Sequence, residues 1–216
     1  MNMKKIIYIY DALCGWCYGF SPVIEKIFQE YKNDFKFEVL SGGMITGDRV
    51  GPIGEVAPYI KQAYKQVEAT SGVKFGDAFL TELENGKAIF TSIPPAMAMN
   101  IFKQNKPDEQ VLFAAELQKM IYHEGIAPDN TQAYAAKVEQ YGLDKQDFLI
   151  QMNNPDHKNA TEKEFQKVAR FGVRGFPTMI AQIDEKYYML SNGYTSYDLL
   201  KEQMEQFLQM ESSTQK

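Results

Sequence analysis

The stretch that most constrains this chain is YIYDALCGWCYGF, Tyr8 to Phe20, where an apolar run hands over almost at once to a pair of cysteines. KKIIYIYD (Lys4–Asp11) is rich in β-branched and aromatic side chains and too brief for a helix, so it reads as a buried strand. From Cys17 onward the apolar residues Phe20, Ile24, Ile27, Phe28 and Tyr31 recur at helical spacing, and Asn33-Asp34 closes the element. Pro22 inside that pattern predicts a kink rather than a break. FKFEVLSGG (Phe35–Gly43) alternates apolar and polar residues and then meets a glycine pair, as a second strand does. The chain therefore opens β-α-β, with Cys14 and Cys17, its only cysteines, at the strand-to-helix junction.

That placement narrows the chemistry. A free thiol with a pKa of about 8.5 is mostly protonated at neutral pH, so a reactive cysteine needs its thiolate stabilised. The first turn of a helix offers unpaired N–H groups and the positive end of the macrodipole. Cys14 is the candidate nucleophile, expected to be the more exposed thiol with the lower pKa. Cys17, one turn further in, is the candidate shielded thiol that resolves a mixed disulfide. Two other readings compete: a pair of buried structural thiols, or half of a zinc site. Structural zinc usually takes four N or S ligands, whereas the chain offers two cysteines and two histidines. His123 and His157 lack the short spacing of a zinc finger and read as surface or helix-end residues, so no metal is expected.

Between Gly54 and Arg170 nothing reads as sheet, and helical patterns follow one another. Val56, Ile60, Ala63, Tyr64 and Val67 mark one helix, ended near Gly72; Ser92 with Pro94 and Pro95 starts another. Phe113, Leu117, Met120 and Ile121 form an apolar face stopped at Gly125, and Asp129 or Asn130 caps a segment that ends at Gly142. Asp144 starts a short helix, and Thr161 with Glu164 has the form of a capping box opening a helix to Phe171. Sheet signals return with TMIAQID (Thr178–Asp184) and KYYML (Lys186–Leu190), a hairpin turning at Asp184. A helical stripe of Leu199, Leu200, Met204, Phe207 and Leu208 follows, and then a polar, frayed tail.

The fold class is thus α/β: a thioredoxin fold with a helical domain inserted between its β-α-β half and its α-β-β-α half. Residues 1–53 and 171–212 would form a discontinuous thioredoxin-like domain. Residues 54–170 would form the inserted helical subdomain, including the helix that connects back, and 213–216 the tail. With 216 residues, 44% of them hydrophobic, the chain can build a real core without disulfides. A net charge of −5 without a basic stripe excludes a nucleic-acid surface. Lys4 and Lys5 precede too short an apolar run for a signal peptide, and no run approaches the roughly 20 residues of a membrane span. A cytoplasmic location is expected, and there a C-x-x-C is catalytic or metal-binding rather than structural.

A second constellation is FGVRGFPTM, Phe171 to Met179. Gly175 permits unusual backbone, and Pro177, lacking an N–H just before a strand, leaves an irregular edge that a peptide could approach. A cis Phe176–Pro177 bond and a plain loop-to-strand proline both fit the residues alone.

Taken together, YDALCGWCYGF, the helical middle and GVRGFPT resemble the DsbA-like thiol-disulfide oxidoreductases of the thioredoxin superfamily, and within them the FrnE-like, predicted protein-disulfide isomerase branch. The resemblance implies that Cys14 attacks, that Cys17 resolves, and that a cis-Pro loop at Pro177 packs against them beneath a helical cap. It implies no cofactor beyond the redox-active Cys14-Cys17 disulfide, with glutathione or a thioredoxin-type protein as electron donor. The partner is then a protein or low-molecular-weight thiol or disulfide, not nucleic acid or membrane. Relatives often carry a buried acid six residues before the nucleophile, where this chain has Tyr8; Asp11 is the candidate proton-transfer aid, against a plainer role in capping the turn. Gly15-Trp16 lacks the histidine of strongly oxidising relatives.

Trp16, Gly175, Phe176 and Pro177 are the candidate substrate-binding residues, with Trp16 expected to be exposed. Tyr18 and Phe20 would extend an aromatic rim or pack in the core, and SGGMITGD (Ser41–Asp48) would lie beside the site. Two alternative functions remain on these grounds. One is a glutathione-dependent transferase or isomerase of the kappa-class type, whose members usually place Ser where Cys14 stands. The other is a non-catalytic peptide-binding chaperone module. The residues leave the oligomeric state and the direction of electron flow open.

Overall fold

The computed structural model describes residues 4–214. β1 (Lys4–Tyr10), α1 (Gly15–Tyr31) and β2 (Lys36–Ser41) form the opening unit, with β1 and β2 parallel. After β3 (Gly51–Pro52) come α2 (Ala57–Ser71), α3 (Asp77–Asn85), β4 (Ile89–Phe90), α4 (Ile93–Asn105), α5 (Gln110–Tyr122), α6 (Thr131–Val138), α7 (Lys145–Met152) and α8 (Pro155–Arg170). β5 (Thr178–Ile183), β6 (Lys186–Asn192) and α9 (Tyr197–Thr214) complete the chain. The main sheet has the order β2-β1-β5-β6, with β5 antiparallel to both β1 and β6. This is the thioredoxin arrangement, with helices inserted between its halves.

The continuous apolar run of β1 reflects burial on both faces. Ile6, Tyr8 and Tyr10 join Val39, Met179 and Ala181 in the main core with Phe20, Ile24 and Ile27 of α1. Ile7 and Ile9 point the other way, joining Leu40, Ile180 and Val168 of α8. α9 adds Leu200, Met204 and Phe207 to the main core and leaves Leu199 exposed. The hairpin turns at Asp184, which takes a left-handed conformation with φ 52°. α1 continues through Pro22, and α2 stops at Gly72 with φ 81°. Among the described residues no helix is long and apolar enough to cross a membrane.

The structure departs from the sequence reading in four places. A small ladder, Gly51 opposite Phe90 and Pro52 opposite Ile89, reaches into the region read as purely helical. Two residues per strand are too few to show a period. α3, with only Phe79 and Leu83 buried, carries too short a stripe to stand out. α8 begins at Pro155, with Asn154 accepting from the Asp156 N–H at 2.9 Å, so Thr161 and Glu164 lie inside the helix rather than opening it. Thr161 donates to the His157 carbonyl, while buried Glu164 accepts from the Ser41 N–H at 2.9 Å and pairs with Lys103. The S/T-x-x-E spacing here serves tertiary contacts, and Asn-Pro was the true start signal. α9 runs to Thr214, past the expected start of the tail, and residues 215–216 lie outside the described residues.

Candidate active site

Cys14 is the N-cap residue of α1, with extended backbone (φ −91°, ψ 110°) that turns the chain out of β1. Its N–H donates to the Asp11 carbonyl at 3.0 Å, and its sulfur accepts from the Cys17 N–H at 3.4 Å. No acidic side chain stands in the first turn of α1 to offset the partial positive charge there. Cys14 was expected to be exposed, but it is only 7% accessible, and Cys17 is fully buried. The reason is that the helical insertion covers the junction, so Cys14 meets the outside only through a cleft. Burial pushes the Cys17 thiol well above its ordinary range, and the neighbouring Cys14 raises it further, against an opposing Asp11 backbone amide.

The loop before β5 faces Cys14 because of strand register. β1 and β5 pair as far as Ile9 opposite Thr178, so the residues just before Thr178 lie over those just after β1. The Cys14 thiol donates to the Phe176 carbonyl at 3.5 Å, and the Phe176–Pro177 peptide bond is cis. Thr178 holds the loop by donating to the Gly175 carbonyl at 2.9 Å, and the Gly193 N–H donates to the Pro177 carbonyl at 2.7 Å. The Phe176 ring fills the space a side chain at Gly42 would need, since a Cβ there would sit 2.0 Å from Phe176 Cζ. Gly42→Ala should therefore displace Phe176 and its carbonyl from Cys14. The expected outcome is a loss of roughly 1–3 kcal/mol in stability together with reduced disulfide exchange, measured by denaturant unfolding and turnover. Unchanged values in both would show that the ring moves freely.

Asp11, almost fully buried, uses both carboxylate oxygens on protein donors. Oδ1 accepts from the Leu13 N–H and the Ser92 hydroxyl, each at 2.9 Å, and Oδ2 from the Met44 N–H at 2.7 Å. Burial raises its pKa, and these hydrogen bonds oppose the rise. Ser92, read as a plain helix start, makes no capping bond to α4; its hydroxyl also accepts from the Ile45 N–H at 2.9 Å. Asp11 and Ser92 thus tie the cysteine turn to the loop after β2. Gln118 of α5, fully buried, adds a second tie, with its amide nitrogen 3.3 Å from the Asp11 carbonyl and 3.4 Å from that of Cys14. Turned over, the same amide reaches the Cys17 carbonyl and the Tyr18 N–H, so either orientation holds α5 to the turn.

A cleft of about 600 Å³ opens above Cys14. Its floor includes Cys14, Trp16 and Phe176, and the Gly42–Ile45 loop forms one side as expected. The opposite wall is the apolar face of α2, including Tyr59, Ile60 and Tyr64. Helical periodicity picks out this face through Ile60, Ala63 and Tyr64, but the 3.6-residue repeat does not distinguish a core from a cleft wall. Tyr59 is 71% exposed. Arg49 and Arg174, both exposed, stand at its margins, and Tyr122 of α5 lines its interior. Trp16 is half-buried rather than exposed, leaning on Tyr194 with ring centroids 5.9 Å apart. Tyr18 and Phe20 are core residues; the Tyr18 hydroxyl donates to the Lys74 carbonyl at 2.8 Å. His123 caps the end of α5 and His157 lies in the first turn of α8, both away from the cleft.

The sheet order and a cysteine pair opening α1 define the thioredoxin-fold class to which disulfide oxidoreductases belong. The family model of the DSBA-like thioredoxin domain matches residues 5–205, and the chain belongs to that family. Its structure is similar to that of a protein from Nitrosomonas europaea proposed to be a protein disulfide isomerase. The TM-score is 0.84 at 24% identity, covering 96% of this chain and 98% of that one. It is also similar to the cytosolic disulfide reductase DsbM from Pseudomonas aeruginosa, with a TM-score of 0.79 at 23% identity over 95% of this chain and 99% of the other. DsbM has been solved with GSH as well, and that structure gives a TM-score of 0.76. Among curated proteins, the ClpXP adapter protein SpxH of Shouchella clausii is 23% identical over 182 residues. That match takes in 82% of this chain but only 58% of SpxH, so the chain spans little more than half of that relative.

Proposed function

We propose that this protein is a cytoplasmic dithiol-disulfide oxidoreductase that reduces low-molecular-weight and accessible protein disulfides through Cys14 and Cys17, with glutathione returning the electrons. The observation that carries this reading is the position of the Cys14 sulfur at the floor of the cleft. It sits beneath the Phe176 carbonyl, with the Cys17 N–H directed at it. In the first step the Cys14 thiolate attacks a substrate disulfide R–S–S–R′, forming Cys14–S–S–R and releasing R′S⁻, which takes up a proton. In the second step Cys17 attacks Cys14, expelling RS⁻ and leaving the Cys14-Cys17 disulfide. The substrate gains two electrons and the pair loses two; two molecules of glutathione then reduce the pair and leave as oxidised glutathione. Trp16, Gly175 and Phe176 line the cleft where the substrate would lie, and Pro177, predicted to join them, is buried behind Phe176 and acts through the backbone it holds.

Three features support the small-disulfide preference. The cleft is largely apolar, cationic Arg49 and Arg174 stand at its rim, and DsbM, a structural neighbour, is named as a cytosolic reductase and has been solved with GSH. The cytosolic glutathione poise, about −220 to −320 mV, would also keep such a pair reduced and ready. The test is reduction of a glutathionylated peptide in a glutathione buffer, coupled to the appearance of oxidised glutathione. Catalysis well above the rate with glutathione alone is expected. A rate equal to that background would overturn the assignment.

A further inference from the structure

Tyr8 has a hydroxyl that packing does not explain. The alternation of β1 sends its side chain to the same face as Ile6 and Tyr10, into the core that also holds Cys17. Its ring lies 5.4 Å from that of Tyr10 and 5.9 Å from that of Phe20, which is three residues along α1 from Cys17. A phenylalanine would make the same ring contacts. The hydroxyl is buried and forms no hydrogen bond, and the side chain it faces is the Cys17 thiol. An orphaned buried hydroxyl costs stability and so asks for a reason.

The other groups facing Cys17 have other engagements. In the turn these are Cys14, the reaction partner, and Asp11, which already holds three donors. On β1, the Tyr10 hydroxyl is also unpaired but faces Ser41, and on α5, Tyr122 lines the cleft. Tyr8 is the buried, unpaired hydroxyl whose facing side chain is Cys17 itself.

We propose that Tyr8 is a positioning residue for the second chemical step, donating a hydrogen bond from its hydroxyl to the Cys17 sulfur as the thiolate forms. The proposal rests on the dithiol reading above. In the mixed disulfide Cys14–S–S–R, the sulfur of Cys17 attacks that of Cys14, and the proton Cys17 gives up ends on the departing RS⁻. The Cys14–Cys17 bond forms, the bond to R breaks, and RS⁻ leaves and is protonated. Tyr8 keeps its own proton throughout. Burial raises both the phenol and the Cys17 thiol well above their ordinary values, so the phenol acts as a donor and not as a base.

The two steps separate with the chromogenic disulfide 5,5′-dithiobis(2-nitrobenzoate). Attack by Cys14 releases one coloured thiolate, and resolution by Cys17 releases the second. A hydrogen bond to a charged sulfur shifts the thiolate population about tenfold or more. A sulfur without that bond is intrinsically more nucleophilic, which recovers about half of the effect on a logarithmic scale. Tyr8→Phe should therefore leave the first phase intact and slow the second by about threefold or more near neutral pH. A ring-fluorinated tyrosine placed at position 8, of nearly the same shape but a stronger donor, should quicken the second phase. An unmoved second phase in Tyr8→Phe, or shifts in the same direction for the two variants, overturns the proposal. Absence of the first phase in the unmodified protein would instead overturn the oxidoreductase reading.

Discussion

Cys14→Ser is expected to lose disulfide turnover by at least about a thousandfold, whereas Cys17→Ser should still react once and stop as a mixed disulfide. The asymmetry follows from position. Cys14 lines the cleft and receives the Cys17 N–H, so of the two sulfurs its own is the one placed to meet an incoming disulfide. Serine keeps the N-cap oxygen and the helix but is a far weaker nucleophile at neutral pH. Cys17 is sealed in the core and cannot reach the substrate, but its absence leaves the Cys14 adduct without a resolving thiol. Mass spectrometry of the intact protein after exposure to oxidised glutathione reads both outcomes. An adduct on Cys14→Ser, or turnover equal to that of the unmodified protein, would reverse the assignment of roles.

The second large effect concerns stability. Asp11→Ala leaves the Leu13 N–H, the Met44 N–H and the Ser92 hydroxyl without their acceptor, and the first and last of these are deeply buried. Unsatisfied buried donors cost about 1–3 kcal/mol each with partial relaxation, so a net loss of about 3 kcal/mol is expected. For a chain of this size that lowers Tm by roughly 10 °C. Because those donors hold the Gly42–Ile45 side of the cleft, activity should fall with it. A Tm within about 2 °C of the unmodified protein would show that the tie contributes nothing.

The pH dependence has a definite sign. Burial raises the Asp11 pKa in the folded state, so the folded protein binds the proton more tightly than the unfolded chain. The associated stability is fully present below the unfolded carboxylate value of about 3.9 and is lost as pH rises through the folded value. Asp11→Asn removes this slope. Denaturant unfolding of the two proteins from acid to neutral pH should therefore show the unmodified protein losing stability relative to Asp11→Asn over that interval. Parallel curves would rule out a raised pKa. Of the two readings open for Asp11, turn capping and proton transfer, this arrangement favours the first, because both oxygens already hold donors.

Much of the frame was legible in local chemistry. The β-branched run before Cys14, the helical spacing after Cys17, and the caps at Asn130 and Asp144 each depend on residues within a few positions of one another. Signals failed where a residue's partner lies far along the chain. Ser92 with Pro94 and Pro95 marked the start of α4 correctly but did not show that its hydroxyl serves Asp11, 81 positions away, instead of the helix end. Thr161 and Glu164 matched a capping box, but Glu164 is bound by the end of β2 and by Lys103. The apolar stripe of α2 was visible, while the cleft it faces was not.

The sequence by itself determined that a cysteine pair would open a helix directly after a buried strand, since strand propensity, helical period and helix-end electrostatics are all local. It also placed a proline at the threshold of the β5–β6 hairpin. Only the tertiary structure decided that Phe176 would stand 3.5 Å from the Cys14 sulfur, because that contact is delivered by the antiparallel register of β1 with β5 across 162 positions. The same packing buried both thiols beneath the helical insertion and turned the orphaned hydroxyl of Tyr8 toward Cys17. Which groups surround a sulfur in the core depends on how separate elements stack, and no spacing within one element encodes that.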